Sequence, residues 1–187
     1  MSAREGTPPA PAPRPHRLGA VRTVLASLAL ALALVATMMP VIASDTLQLG
    51  LLAFPLLAAM VLAAVIVLAP YRLCLLRGPR AAGLLAAVSY LMAFVLISLI
   101  AAHPGQAGSG FWALVVVAWA MAWLSVEEMA GLKPRQPLWG RAIALAIPLT
   151  FGAWLLILWQ VLVVGFAVPK VLLPPPSGIW VRLVASP

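Results

Sequence analysis

Long apolar runs alternate with short polar gaps along most of this chain. A helix needs about 20 mostly apolar residues to cross the hydrocarbon core of a bilayer. Five runs have approximately that length: Ala20–Ala43, Leu49–Ala69, Ala81–Ala102, Phe111–Met129 and Ala142–Val168. The pattern therefore predicts an all-α, polytopic membrane bundle of five transmembrane helices.

Basic residues occur in alternate gaps between these runs. Ten of the twelve Lys and Arg residues lie in the N-terminal tail with its junction, after the second run, or after the fourth run: Arg4, Arg14, Arg17, Arg22, Arg72, Arg77, Arg80, Lys133, Arg135 and Arg141. The gaps 44–48 and 103–110 contain none. Because short loops rich in Lys and Arg stay in the cytoplasm, the N-terminus is expected inside and the C-terminus outside.

The same pattern divides the chain into segments. Residues 1–19 form a basic, proline-rich tail that is expected to be disordered. A four-helix transmembrane region (20–130), a cytoplasmic loop (131–141), the fifth helix (142–168) and an outer segment (169–187) follow. The first run ends in Val-Ile-Ala-Ser, which could be a signal-peptide cleavage site, but its apolar core exceeds the roughly 7 to 15 residues typical of signal peptides. We expect an uncleaved signal anchor; cleavage would leave four spans.

Composition agrees with a chain whose main surroundings are a lipid bilayer. It is 64% hydrophobic and 9% charged, which leaves too little polar surface to cover a soluble globule. The net charge of +8 lies beside the apolar runs instead of forming one stripe, so nucleic-acid binding is not expected. Arg72, Arg77 and Arg80 either only set the topology or also contact anionic headgroups.

No pattern of catalytic or metal-ligating residues occurs in the sequence. Cys74 is the single cysteine, and His16 and His103 are the two histidines, so neither an intramolecular disulfide nor a metal or haem ligand set is expected. Nucleophile-elbow, zinc-protease and phosphate-loop motifs are missing. We therefore predict no enzyme, and no catalytic, cofactor-binding or metal-binding residue.

Charged residues are missing from the centres of all five runs. Such residues usually mark ion or proton paths, so a stand-alone channel or secondary carrier is disfavoured. Glu127 and Glu128 lie near the inner end of the fourth run, where a surface ion pair, a partner contact or proton transfer could use them. The deep polar residues are Ser89, Ser98, Thr150 and Gln160. Gln160 could bond to a neighbouring helix, which is favoured, or line a pathway.

Prolines and tryptophans add further expectations. Pro55 and Pro148 remove backbone donors inside the second and fifth runs and predict local kinks. Trp112 and Trp139 are placed like aromatic-belt residues at membrane boundaries. The deeper tryptophans are expected to pack between helices, with cofactor stacking as the less favoured alternative: Trp119, Trp123, Trp154 and Trp159.

The C-terminal part, residues 151–183, contains a tryptophan-rich span, a Leu-Pro-Pro-Pro-Ser segment and an amphipathic start. Consecutive prolines end a helix, and Ser177 is expected to cap a new one with an apolar side of Ile179, Trp180, Leu183 and Val184. This stretch resembles the beginning of permeases from ABC importers of the nitrate, sulfonate and taurine class, which includes relatives for thiamine precursors. The residues that carry the resemblance are Leu173, Pro174, Pro176, Ser177, Trp180 and Leu183, with Pro175 at the variable position.

The resemblance implies an inner-membrane permease component of a bacterial importer, whose cytoplasmic ATPase and periplasmic binding protein are separate subunits. The family's Glu-Ala-Ala coupling loop, which contacts the ATPase, has no match here, and the spacing of Glu127, Glu128 and Gly131 differs from it. We therefore expect the chain to represent only the N-terminal portion of such a permease. The alternative is an accessory membrane subunit that scaffolds a respiratory or photosynthetic complex.

Overall fold

Five α-helices make up the described part of the chain. A computed structural model describes residues 16–42, 78–133 and 136–185, with side chains from Thr23 onward. The helices are α1 (His16–Ala36), α2 (Pro79–Ala102), α3 (Ser109–Ala130), α4 (Pro137–Gly165) and α5 (Pro176–Ala185). Within these ranges the one β-type pairing is an isolated bridge between Ile42 and Ala107. The predicted all-α class is confirmed.

Three of these helices, α2, α3 and α4, are long and apolar enough to cross a membrane, with 24, 22 and 29 residues. They correspond to the third, fourth and fifth predicted spans, and the chain is a multi-pass membrane protein. For the first predicted span, side chains are described only from Thr23 onward. The apolar helix Thr23–Ala36 is shorter than the three long helices. The second span, with Pro55, lies outside the described residues. The count of five spans and their orientation stay predictions.

Two helices start earlier than the apolar runs alone indicate. Helix α1 begins at His16, so the last four residues of the tail expected to be disordered are helical. Helix α4 begins at Pro137, five residues before the predicted span, which shortens the preceding loop. Proline suits the first helical position because its fixed φ is helical and its missing N–H would have no intrahelical partner there. Pro148 lies inside α4 without ending it.

Helix α4 ends at Gly165, three residues before the predicted end of the span, in a defined backbone motif. Val168 N–H donates to Val163 O at 2.9 Å, and Ala167 N–H donates to Val164 O at 3.1 Å. Ala167 has a φ of 50°, the left-handed conformation that this 6→1 and 5→2 bonding pattern requires. The motif satisfies carbonyls of the last turn, and the chain turns away before Val168.

Helix α3 is the centre of the bundle. Among the described residues, α1, α2 and α4 each pack on α3, and α1 has no close backbone approach to α2 or α4. The buried share of the apolar window is 61% for α3, 44% for α2 and only 6% for α4. The core therefore lies around α3, and α4 is attached to it along a narrow strip.

The contact between α1 and α3 is made by small side chains on α1. Ala26, Ala29, Ala33 and Ala36 lie on one face, and none of them is more than 3% exposed. Small residues let helix backbones approach closely, which is the main source of packing energy between helices in lipid. This alanine face of α1 packs against α3, the most buried of the described spanning helices.

The segment that follows α1 is fixed to the beginning of α3 through backbone contacts. Gly108 N–H donates to Val41 O at 3.0 Å, and Gly110 N–H donates to Pro40 O at 3.1 Å. A Cβ atom on Gly108 would lie 2.3 Å from Pro40 O, so only glycine allows this approach. On the other side of the same loop, Gly105 N–H donates to Val164 O at 3.1 Å. Residues 103–108, hereafter the α2–α3 loop, thus connect the ends of α1 and α4.

Helices α2 and α3 exchange two buried hydrogen bonds. Ser89 Oγ on α2 donates to Ala118 O on α3 at 2.9 Å, and Ser125 Oγ on α3 donates to Ala82 O on α2 at 3.0 Å. Both serines are fully buried. The four residues are arranged as an antiparallel pair, seven residues apart on each helix, so together the two bonds fix the register of this hairpin.

Replacing Ser89 or Ser125 with alanine is expected to lower the free energy of unfolding by about 0.6 kcal/mol each, the average for interhelical hydrogen bonds in membranes. Equilibrium unfolding in mixed micelles measures the change. The control is Ser98→Ala, because Ser98 Oγ donates to Phe94 O of its own helix at 2.8 Å and is exposed. If Ser98→Ala lowered the free energy of unfolding as much as the Ser89 and Ser125 variants, that result would contradict the role of the two interhelical bonds in fixing the register.

Candidate functional site: the groove between α3 and α4

Helices α3 and α4 are in close contact at the end that carries the α2–α3 loop. The rings of Trp112 and Phe166 stack with centroids 4.6 Å apart and an interplanar angle of 18°. A Cβ atom on Gly165 would lie 2.9 Å from the Trp112 ring, so glycine makes room for the indole. Trp112, expected in an aromatic belt, is therefore half-buried in a helix contact.

Farther along the two helices, a groove of about 560 Å³ lies between them. We call it the α3–α4 groove. The α3 side is lined by Trp119, Ala122, Trp123, Val126, Glu127 and Ala130, and the α4 side by Ile147, Pro148, Thr150, Phe151 and Trp154. Three indoles and a phenyl ring provide most of the large side chains. Glu127 is the one charged side chain among these lining residues.

Trp154 forms the most deeply buried part of this lining. It is 3% exposed, and its ring lies 6.4 Å from that of Tyr90 on α2, tilted by 31°. The prediction that Trp154 packs between helices is confirmed. Its Nε1–H has no hydrogen-bond partner in the described part of the chain. A buried polar group left in this state costs about 1–3 kcal/mol, so a hydrogen-bond acceptor in the groove would be favoured.

Trp119 and Trp123 divide the groove from a second one. Their rings make an edge-to-face pair with centroids 6.0 Å apart, and the two residues are 42% and 47% exposed. On their other side is an apolar groove of about 350 Å³ that also contacts α1, through Leu25, Leu28, Ala29 and Leu32. The two tryptophans therefore do not fill an interface between helices, unlike Trp154.

Glu127 lies in the last turn of α3. With a rise of 1.5 Å per residue, it is about 27 Å along α3 from Ser109, against a hydrocarbon thickness of about 30 Å. Trp119, about 15 Å along the same axis, lies near the middle of the helix. Glu127 and Glu128 are both partly buried, but only Glu127 lines the groove. Along the α3 axis, the groove thus extends from Trp119 to Glu127, about 12 Å farther on.

Gln160 bonds to a neighbouring helix, the role that the sequence favoured. Its Oε1 accepts a hydrogen bond from Ser177 N–H at 3.1 Å, at the beginning of α5. The prediction that Ser177 caps this helix is wrong in its detail. Helix α5 begins at Pro176, and Pro175 O accepts bonds from Gly178 N–H and Ile179 N–H. Ser177 is therefore already inside the first turn, and the Gln160 side chain takes up one of its free amides.

Other residues singled out in the sequence are far from this groove or outside the described ranges. His103 Nδ1 lies 3.2 Å from Leu99 O at the end of α2. Cys74, Arg72 and Arg77 fall outside the described residues, as does the side chain of His16. Among the residues that the structure describes, no three His, Cys, Asp or Glu side chains come together as a metal site.

Sequence reasoning missed Ser125, the partner of Ser89 in fixing the hairpin. It lies beside Val126 and Glu127 near the end of an apolar run, and no sequence motif marks its hydroxyl. Its spacing was informative, because Ser125 follows Ala118 by seven residues and thus lies on the same helix face.

No protein-family model matches this chain, and no curated protein or solved structure is significantly similar to it.

Replacing Gln160 with leucine is expected to free the beginning of α5, because the Ser177 amide loses its acceptor. One hydrogen bond of about 1 kcal/mol corresponds to roughly fivefold faster amide exchange. Hydrogen exchange of the peptide covering residues 174–185, measured in nanodiscs, detects the change. The control is Ser177→Ala, which keeps the backbone donor and should leave the exchange rate as it is. Faster exchange in that control would instead show that the Ser177 side chain stabilises the beginning of α5, as the cap prediction held.

Proposed function

We propose that the chain is the N-terminal membrane portion of a permease from an ABC importer of the nitrate, sulfonate and taurine class. The observation that carries the proposal is the connection from α4 to α5. A long apolar helix ends at Gly165, the Leu-Pro-Pro-Pro-Ser segment follows, and a short amphipathic helix begins at Pro176. This is the order of elements that the resemblance of residues 151–183 implies.

The geometry of α5 supports this proposal. Trp180, Leu183 and Val184 are each 68–69% exposed and carry the apolar side of the helix, while Arg182 lies in its last turn. Such a helix is suited to lie in the membrane interface, with its apolar residues toward the acyl chains and its cation toward headgroups. The hydrogen bond from Ser177 N–H to Gln160 Oε1 holds the beginning of α5 against α4.

The exposed surface of α4 supports a role in assembly with other membrane subunits. Only 6% of its apolar window is buried among the described residues, so within that part of the chain most of the helix is available to lipid or to a partner. In the proposed importer, this helix packs against further permease segments in a bacterial inner membrane. A separate cytoplasmic ATPase hydrolyses ATP and a periplasmic protein delivers the solute. The chain itself contributes no catalytic residue.

Purification of the tagged chain from its native membrane in mild detergent is expected to recover an ATPase subunit and a solute-binding protein, identified by mass spectrometry. Recovery of an electron-transfer complex without an ATPase would overturn the importer proposal in favour of the accessory subunit. As a matched control, the Gln160→Leu variant should recover the same partners, since it changes only the attachment of α5.

The topology provides an independent test. With five spans, tags fused at the two ends are expected on opposite sides of the membrane, the N-terminal tag in the cytoplasm. Protease protection in inside-out and right-side-out vesicles measures this. Protection of both tags in the same vesicle preparation would exclude an odd number of spans and, with it, the proposed placement of α5 outside.

A further inference from the structure

The segment after α4 carries basic residues that the predicted topology does not require. The gaps 44–48 and 103–110, both expected outside, contain no Lys or Arg, whereas residues 169–187 contain Lys170 and Arg182 and no acidic residue. Both side chains are exposed, and neither has a hydrogen-bond or ion-pair partner in the described part of the chain. Within that part, two positive charges are thus left without a counter-charge.

Exposed apolar side chains accompany these two cations. The apolar side of α5 consists of Trp180, Leu183 and Val184, and before the helix Val171 is 96% exposed. At 3.6 residues per turn, Arg182 lies about 160° around the helix from both Trp180 and Val184. Helix α5 therefore has an apolar side and, directed away from it, a guanidinium group.

A hollow beside Arg182 combines the two chemistries. Its volume is about 370 Å³, and its other described lining residues are Pro174, Ile179 and Leu183. A guanidinium can bind a phosphate through two parallel hydrogen bonds, and apolar side chains suit the hydrocarbon that adjoins the phosphate in a phospholipid. A free inorganic anion would leave these apolar walls facing water, so the lining favours a lipid.

The attachment of α5 to α4 brings this surface beside a membrane-spanning helix. Gln160, whose Oε1 accepts the bond from Ser177 N–H, precedes the end of α4 by five residues, or about 7.5 Å along the helix axis. Helix α5 therefore begins alongside the last turns of α4 instead of projecting from its end. Its apolar side can reach the acyl chains that surround α4, as in helices that lie in the membrane interface.

We propose that residues 169–185 bind anionic phospholipid, with Lys170 and Arg182 at the phosphates and the apolar side of α5 among the acyl chains. The proposal goes beyond an interfacial position for α5, because it assigns the charge of the lipid. It does not depend on the importer assignment, since an accessory subunit would present the same surface. Each Lys or Arg near an anionic surface strengthens binding about fivefold, whereas an apolar helix side alone does not distinguish lipids by charge.

A fluorescent label on α5 tests the proposal in the full chain. Cys74 is the single cysteine, so Val184→Cys in a Cys74→Ser background accepts one NBD label on the apolar side. The chain is reconstituted in phosphatidylcholine nanodiscs with or without phosphatidylglycerol, and acrylamide quenching measures the ratio of shielded to accessible label. We expect phosphatidylglycerol to raise this ratio several-fold, and about 1 M salt to reverse the increase by screening the exposed charges.

Charge variants identify the residues responsible. Arg182→Gln and Lys170→Gln should each lower the ratio in phosphatidylglycerol nanodiscs about fivefold. The matched control is Lys133→Gln, which should leave the ratio unchanged, because Lys133 is also exposed but follows α3 at the opposite end of the bundle.

Three results would each overturn the proposal. A label that is equally shielded with and without phosphatidylglycerol would show that α5 is held by apolar contact alone, with lipid or with a partner protein. A label that acrylamide reaches equally in both lipids would show that α5 does not bind the bilayer. Equal effects of the Arg182, Lys170 and Lys133 variants would show a general response to charge instead of a site at α5.

Discussion

Close approach of helix backbones around α3 is the constraint on which the described structure depends. In lipid, apolar surface gains little by turning inward, so helices associate through van der Waals contact and a few interhelical hydrogen bonds. Helix α3 satisfies this condition on two sides, with the alanine face of α1 and with the reciprocal serines that join it to α2. Along most of α4 the described residues provide no such fit, and they leave the helix uncovered.

This difference explains where the groove lies. Helix α4 is attached to α3 at the loop end, through Trp112 and Phe166 and through the bond from Gly105 to Val164. Farther along, bulky Trp119 and Trp123 stand where small residues would have allowed contact, and Pro148 leaves the carbonyl of Ala144 without its usual donor. Large side chains and a backbone defect thus keep the two helices from closing over the Glu127 end.

Much of the helical framework could be predicted from the sequence, because apolar run length follows directly from bilayer thickness. The third, fourth and fifth runs agree with α2, α3 and α4 to within five residues at each end. The largest difference, at Pro137, arose because a helix can continue beyond the hydrocarbon region through Trp139 and Arg141. Ser177 was misplaced by two positions, since Pro175 and Pro176 could both begin a helix and only the backbone bonding distinguishes them.

The site was harder to predict, because it depends on which residues of two separate helices come to face one another. Trp119, Trp123 and Trp154 were all expected to pack between helices, and nothing in the local pattern distinguished Trp154, which is buried, from Trp119 and Trp123, which stay partly exposed. Nor did it separate Glu127 from Glu128, which differ by one residue and 100° around the helix. Side-chain direction relative to a distant helix is a property of the tertiary structure alone.

The length of α4 has a mechanical consequence. Its 29 residues extend over about 44 Å, roughly 14 Å more than the hydrocarbon thickness, whereas α3 is close to a match. A helix longer than the bilayer accommodates the mismatch by tilting, and α4 is anchored by Phe166 against Trp112 of α3 and by Trp154 beside Tyr90 of α2. Its Pro137 end is joined to the end of α3 by residues 131–136, so the length that exceeds the hydrocarbon thickness either extends out of the bilayer or is taken up by tilt about these contacts.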